Sequence, residues 1–177
     1  QGSAVRITGK ALCSFLKERK VSGRMAAECE RVLKKLGYSI DIEVLYDGDP
    51  NPVYEEASIQ PGAALAVWAA TDSGCILGSD VAGAPRRTAE YIGKQTARNL
   101  MRDLESGATV DRYLADPLIP YAALAEGWSS YLMPIMTDHI ESRLWLVQDI
   151  IGAGVEVIGN RLRIKGIGYK GSSWKQP

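Results

Sequence analysis

Hydrophobic and polar positions alternate and recur along this chain in blocks, and the blocks predict its elements. Ala4 to Thr8 reads as a short strand with Val5 and Ile7 on one face, and residues 9–20 read as irregular, with a basic run at Lys17-Glu18-Arg19-Lys20. Met25, Cys29, Val32, Leu33 and Leu36 then recur at helical spacing. Ser22 is placed to cap that helix, and Lys34, Lys35 and Gly37 suit its end, so residues 23–36 are predicted helical. Ile40, Ile42, Val44 and Tyr46 alternate with Asp41, Glu43 and Leu45, the period of a half-buried strand. Residues 47–62 carry Asp-Gly-Asp-Pro-Asn-Pro and Gln-Pro-Gly, which is loop chemistry. Ala63 to Ala70 is almost continuously apolar and predicts a strand covered on both faces. Thr71-Asp72-Ser73-Gly74 turns it, and Cys75-Ile76-Leu77 returns as its hairpin partner. A second helix is expected from near Thr88, with Ile92, Ala97, Leu100, Met101 and Leu104 inward and Gly107 at its end.

Beyond Ser106-Gly107 a second block begins. Asp111 can cap a helix running through Leu114, Leu118, Ala122 and Leu124 to Glu126, kinked because Pro117 and Pro120 remove donors. Tyr131 to Met136 reads as a strand that Thr137-Asp138-His139 ends. A helix with Leu144, Val147, Gln148 and Ile151 on one side stops at Gly152. Val155 and Val157, Gly159-Asn160, then Leu162 and Ile164 form a hairpin. The order is β-α-β-β-β-α followed by α-β-α-β-β. This predicts an α/β protein of the α+β type, helices packing on one face of a small mixed sheet. Residues 4–105 form one lobe, 106–168 the next, and 169–177 a loose tail. No repeat of fixed period is visible.

Composition narrows the classes. The 177 residues are 46% hydrophobic and 24% charged, which is ordinary for a globular chain and excludes disorder. Lys plus Arg and Asp plus Glu are 21 each, so no global field draws in nucleic acid or an anionic membrane, and any phosphate site must be a local patch. No apolar run has the length of a membrane span, and Gln1-Gly2-Ser3 lacks the basic-then-apolar pattern of a secretion signal. Cys13, Cys29 and Cys75 are odd in number and widely spaced, which argues against disulfides or a zinc site and for buried thiols in the cytoplasm.

Candidate chemistry is sparse. His139 is the single histidine, at a strand-to-helix junction beside Asp138 and Glu141, where an imidazole could act as nucleophile or base. Read alone, a lone histidine at a loop is more often a surface residue. Tyr113 and Asp116 lie three apart, so on a helix they share a face: a ring can stack on a base while a carboxylate accepts from a ribose or holds a metal. Arg86-Arg87 precede a helix start, a possible phosphate contact. Arg161, Arg163 and Lys165 line one side of a strand, which could touch a nucleic-acid backbone but is more often the solvent side of an antiparallel hairpin. No Walker A, G-x-G-x-x-G, G-x-S-x-G or H-E-x-x-H sequence occurs.

The stretch Leu104-Glu105-Ser106-Gly107-Ala108-Thr109-Val110-Asp111-Arg112-Tyr113-Leu114-Ala115-Asp116-Pro117-Leu118-Ile119-Pro120-Tyr121-Ala122 is far more specific. It resembles a motif of the RNA 3'-terminal phosphate cyclase family. Pro61-Gly62-Ala63 through Ala69, Ser73-Gly74-Cys75 through Asp80, and His139-Ile140-Glu141 through Val147 resemble further family segments, in order, so that the likeness covers residues 5–168. The resemblance implies the fold of an insert-type α/β lobe followed by the last β-α-β-α-β-β-like repeat of the cyclase. It also implies ATP-dependent conversion of an RNA 3'-phosphate to a 2',3'-cyclic phosphate through an adenylyl-histidine, with Mg²⁺ or Mn²⁺. By position the nucleophile is His139, and Tyr113, Asp116 and Pro117 fall in the nucleotide pocket. Pro117 replaces the usual glutamine, and Ser142-Arg143 replaces a usual Thr-Asn. The family's N-terminal repeats and Gly-rich segment have no counterpart, which reads as a fragment or one piece of a split assembly. The expected partners are therefore RNA 3'-phosphate ends, ATP and the N-terminal repeats or a partner chain, with homodimerisation through an open apolar patch as another possibility. The rival expectation is a non-catalytic cyclase-like protein of RNA processing or ribosome assembly.

Overall fold

A computed structural model of the chain describes residues 1–48, 53 and 58–171. The chain divides into two compact units, Gln1–Gly107 and Ala108–Pro177. Much of the 47–62 loop and most of the 169–177 tail lie outside the described residues. The tail's first residue is anchored, since Tyr169 N–H donates to the Leu124 carbonyl at 2.9 Å.

The first unit runs β1 (Ala4–Ser14), α1 (Val21–Lys35), β2 (Ile40–Asp47), β3 (Gly62–Thr71), β4 (Ile76–Ala82) and α2 (Ala89–Glu105). Its mixed sheet has the order β2-β1-β3-β4, with β1 and β2 parallel and the other pairs antiparallel. Both helices pack on one face. Ile7, Ala11, Cys13, Leu65, Val67, Ala69 and Leu77 from the strands are buried with Met25, Cys29, Leu33, Ile92, Ala97 and Leu100 from the helices. This is the mixed α/β arrangement that the alternation predicted.

Several details differ from expectation. β1 continues to Ser14, through residues that the sequence pattern left irregular. Its inward positions include Gly9 and Ala11, which add little to a hydrophobic pattern. Gly9 is required there because a Cβ would come 2.6 Å from the Ala66 carbonyl oxygen. Val5 does not share a face with Ile7: the register shifts between Ala4 and Arg6, and Val5 is 68% exposed. The cap of α1 is Lys20, in left-handed conformation, and no side chain caps the helix. Ser22 instead donates to the Leu45 carbonyl at 2.8 Å, joining α1 to β2. β3 is not covered on both faces, because Leu65, Val67, Ala69 and Thr71 point into the core while Ala64 and Ala70 are exposed. Alanine reads as apolar in a run yet tolerates either environment, so the run was ambiguous.

The second unit runs α3 (Leu118–Leu124), β5 (Glu126–Leu132), α4 (Asp138–Leu146) continued by a π-helical turn (Val147–Ile151), β6 (Gly154–Ile158) and β7 (Arg161–Ile167). The antiparallel sheet β5-β7-β6 carries α3 and α4 on the face of Leu162 and Ile164. The hairpin turns at Gly159, whose φ is 61°. The expected long helix from Asp111 is overturned. Residues 112–117 form consecutive turns, and only Leu118–Leu124 is helical. Pro117 sits at the cap and Pro120 in the first turn, where a missing N–H costs nothing. β5 also begins at Glu126 rather than Tyr131, recruited by its ladder with β7 despite its polar start.

Candidate active site

His139 lies in the first turn of α4 and is exposed. Thr137 fixes that helix start, its hydroxyl accepting from the Ile140 N–H at 3.3 Å. Thr137 has extended backbone and the helix begins at the next residue, with Ile140 and Leu144 buried in the core and His139 exposed. Ser142 donates to the Asp138 carbonyl at 2.7 Å, one turn along.

Tyr113 and Asp116 occupy the turns before α3, so they do not share a helix face as expected. Asp111 organises the turn, its carboxylate accepting from the Tyr113 and Leu114 N–H groups at 2.9 Å each. Tyr113 is 47% exposed, so part of it is open to solvent. Asp116 is joined to α4, with Arg143 Nε 2.7 Å from Asp116 Oδ1. That oxygen is buried, and it has no aligned hydrogen bond despite the ion pair. Arg143 follows His139 by four residues and therefore lies on the same face of α4. Asp116, Arg143 and the His139 side of α4 are thus brought to one place by a single ion pair. Pro117 is exposed at the α3 cap and offers no side-chain hydrogen bond.

Two neighbours escaped the sequence reading as part of this site. Tyr131 donates its hydroxyl to the Ala115 carbonyl at 2.6 Å and so pins the turn that carries Asp116. Burial, with the Asp116 carboxylate adding to it, pushes the Tyr131 phenol up to about 12. Arg143 was noticed only as a departure from a motif, and an ion pair across 27 positions leaves no local signal. Beside it, Pro120, Arg143, Leu146, Val147, Ile150 and Ile151 line an apolar groove of about 390 Å³.

This α/β framework, with a histidine at a capped helix start and an acidic turn bound to the same helix, has named relatives. Residues 1–105 match the family description "RNA 3'-terminal phosphate cyclase (RTC), insert domain". The RNA 3'-terminal phosphate cyclase of Hyperthermus butylicus is 35% identical over 185 residues, 98% of this chain and 49% of the relative. That of Ignicoccus hospitalis is 30% identical over 174 residues, covering 94% of this chain and 48% of the relative. That of Pyrobaculum neutrophilum is 30% identical over 153 residues, covering 84% and 42%. The chain belongs to the RNA 3'-terminal phosphate cyclase family. It spans about half the length of the curated relatives it matches. No helix among the described residues is long and apolar enough to cross a membrane.

Proposed function

We propose that this chain contributes the insert domain and last catalytic repeat, residues 4–105 and 106–168, of an RNA 3'-phosphate cyclase that acts in the cytoplasm. Family membership carries the reading, and the exposed His139 at a capped helix start supports it. ATP is the co-substrate, with Mg²⁺ or Mn²⁺ riding on its phosphates. The pocket residues suit a nucleotide: Tyr113 is a partly exposed aromatic residue, and Asp116 supplies a carboxylate of the kind that accepts from a ribose hydroxyl.

An imidazole nitrogen of His139 attacks the α-phosphorus, a P–N bond forms, and pyrophosphate leaves. His139 sits at the N-terminal end of α4, the end of a helix that favours negative charge. AMP then passes to the RNA 3'-phosphate, returning the imidazole. The neighbouring 2'-hydroxyl attacks that activated phosphorus, the ring closes, and AMP leaves. Segments supplied by the N-terminal repeats or by a partner chain complete the cleft.

Covalent labelling with α-labelled ATP and divalent metal tests this. We expect acid-labile, base-stable AMP on a chain of cyclase length and none on its His139→Ala variant. Absence of label on the complete chain would sink the catalytic reading. One observation favours the second reading, a non-catalytic cyclase-like protein: Arg143 already engages Asp116, and Pro117 supplies no hydrogen bond. Under that reading Asp116→Ala leaves nucleotide affinity unchanged, whereas the cyclase reading expects it to fall.

A further inference from the structure

The first unit holds a concave site that the cyclase chemistry does not use. A cavity of about 530 Å³ opens where β1 and β4 end and where α1 and α2 begin. Arg19, Arg24, Arg86 and Arg87 line it, and no aspartate or glutamate is among the lining residues. In a chain of zero formal net charge, four arginines around one hollow are a strong local concentration. Concave walls of one sign focus the field and draw in counter-charge.

The four guanidinium groups are not equally committed. Arg24 makes a two-pronged pair with Glu90, at 2.7 and 2.9 Å, which neutralises it and ties α1 to α2. Arg87 donates to the Ala82 carbonyl at 3.1 Å, which orients its charge without cancelling it. Arg19 and Arg86 are exposed and have no anionic partner among the described residues. Three cationic groups are therefore left to serve something else. Leu16, Val21, Pro85 and Ile92 supply an apolar floor beside them. The size falls within the range of small-ligand sites, about 300–1,000 Å³. A guanidinium fork matches two oxygens of a phosphoryl group, and an apolar floor suits a base or sugar.

We propose that this cavity binds the phosphoryl group of a nucleotide, presented free or within an RNA strand. Arg19, Arg86 and Arg87 hold the oxygens, and the Arg24–Glu90 pair braces the wall. The binding needs neither ATP nor a 3'-phosphate, so it stands apart from the reaction assigned to His139.

The test uses the full chain, labelled with ¹⁵N, and two probes without ATP: uridine monophosphate and hexauridylate ending in a 3'-hydroxyl. Expected are amide shifts confined to residues 16–24 and 83–92, with affinity reduced at least tenfold in Arg19→Glu/Arg86→Glu. Shifts with the monophosphate indicate a free-nucleotide site, and shifts with hexauridylate alone indicate a strand site. Each supports the proposal. If the double charge reversal does not fold, Arg19→Gln/Arg86→Gln serves, with affinity expected to fall several-fold. The proposal is overturned if neither probe moves these amides, or if affinity survives the substitutions. Shifts at Tyr113, Asp116 or His139 alone would report the other pocket and also overturn it.

Discussion

Cys29 shows how much one side chain's surroundings decide. It is fully buried between α1 and the sheet, and burial, reinforced by Glu30 and Glu28, pushes its thiol up to about 12. Cys13 is buried too, while Cys75 at the β3–β4 turn is partly exposed. A thiol-specific reagent at pH 8 is expected to modify Cys75 rapidly and to reach Cys13 and Cys29 only on unfolding. Fast modification of Cys29 in the native protein would contradict the packing. The same burial sets an alkaline limit. The folded Cys29 and Tyr131 stay neutral to about 12, whereas their unfolded counterparts ionise from about 9 and 10. Their contribution is complete below pH 9 and is lost as pH rises toward 12. Denaturant midpoints should fall across that window. At low pH the direction reverses through Asp47. N–H donors from Ser58 and Val53, with the Ser14 hydroxyl, hold its carboxyl below the usual range, so its contribution is lost as acid protonates it.

Contacts between elements rest on small residues at crossing points. α1 and α2 touch at Gly93, where a Cβ would collide with the Met25 carbonyl oxygen and crowd the Cys29 N–H. Backbone cannot move aside as a side chain can, so Gly93→Ala should destabilise the first unit by about 1–3 kcal/mol. Thermal or denaturant unfolding of the variant measures this directly. Gly166 plays the same part between β7 and the carbonyls of Ala122 and Ala125 at the end of α3. Under the proposed cyclase reading the cap of α4 also bears on function. Thr137→Ala should cost about 1 kcal/mol, the usual worth of such a cap. It should also slow adenylylation in the complete protein more than it lowers stability elsewhere, because it loosens the turn that presents His139. Thr88→Ala, which uncaps α2 in the same way, should cost similar stability and leave labelling intact.

At the scale of the full chain, the cyclase reading makes length decisive. The relatives are about twice as long, and the proposed cleft needs segments beyond those described here. We expect this chain alone to take up no AMP and to do so when the rest of a cyclase-length protein is supplied. Label on the isolated chain would show that the second unit is catalytically self-sufficient.

The pattern of residues by itself determined the α/β class, α2 with its cap and apolar face, and the β6–β7 hairpin. These features depend on neighbours within a few residues, where period, caps and turn chemistry act. The quoted motifs carried the family as well. Other outcomes depend on partners far along the chain, which no local window contains. β1 extends to Ser14 because β2 and β3 pair with it on both sides, and Glu126 joins a strand because Ile167 lies opposite. The turn before α3 carries Asp116 to Arg143, where charge attraction holds it. Segments more than sixty residues apart bring Arg19, Arg24, Arg86 and Arg87 around one cavity. Only tertiary packing sets such meetings, because it decides which side chains share a surface.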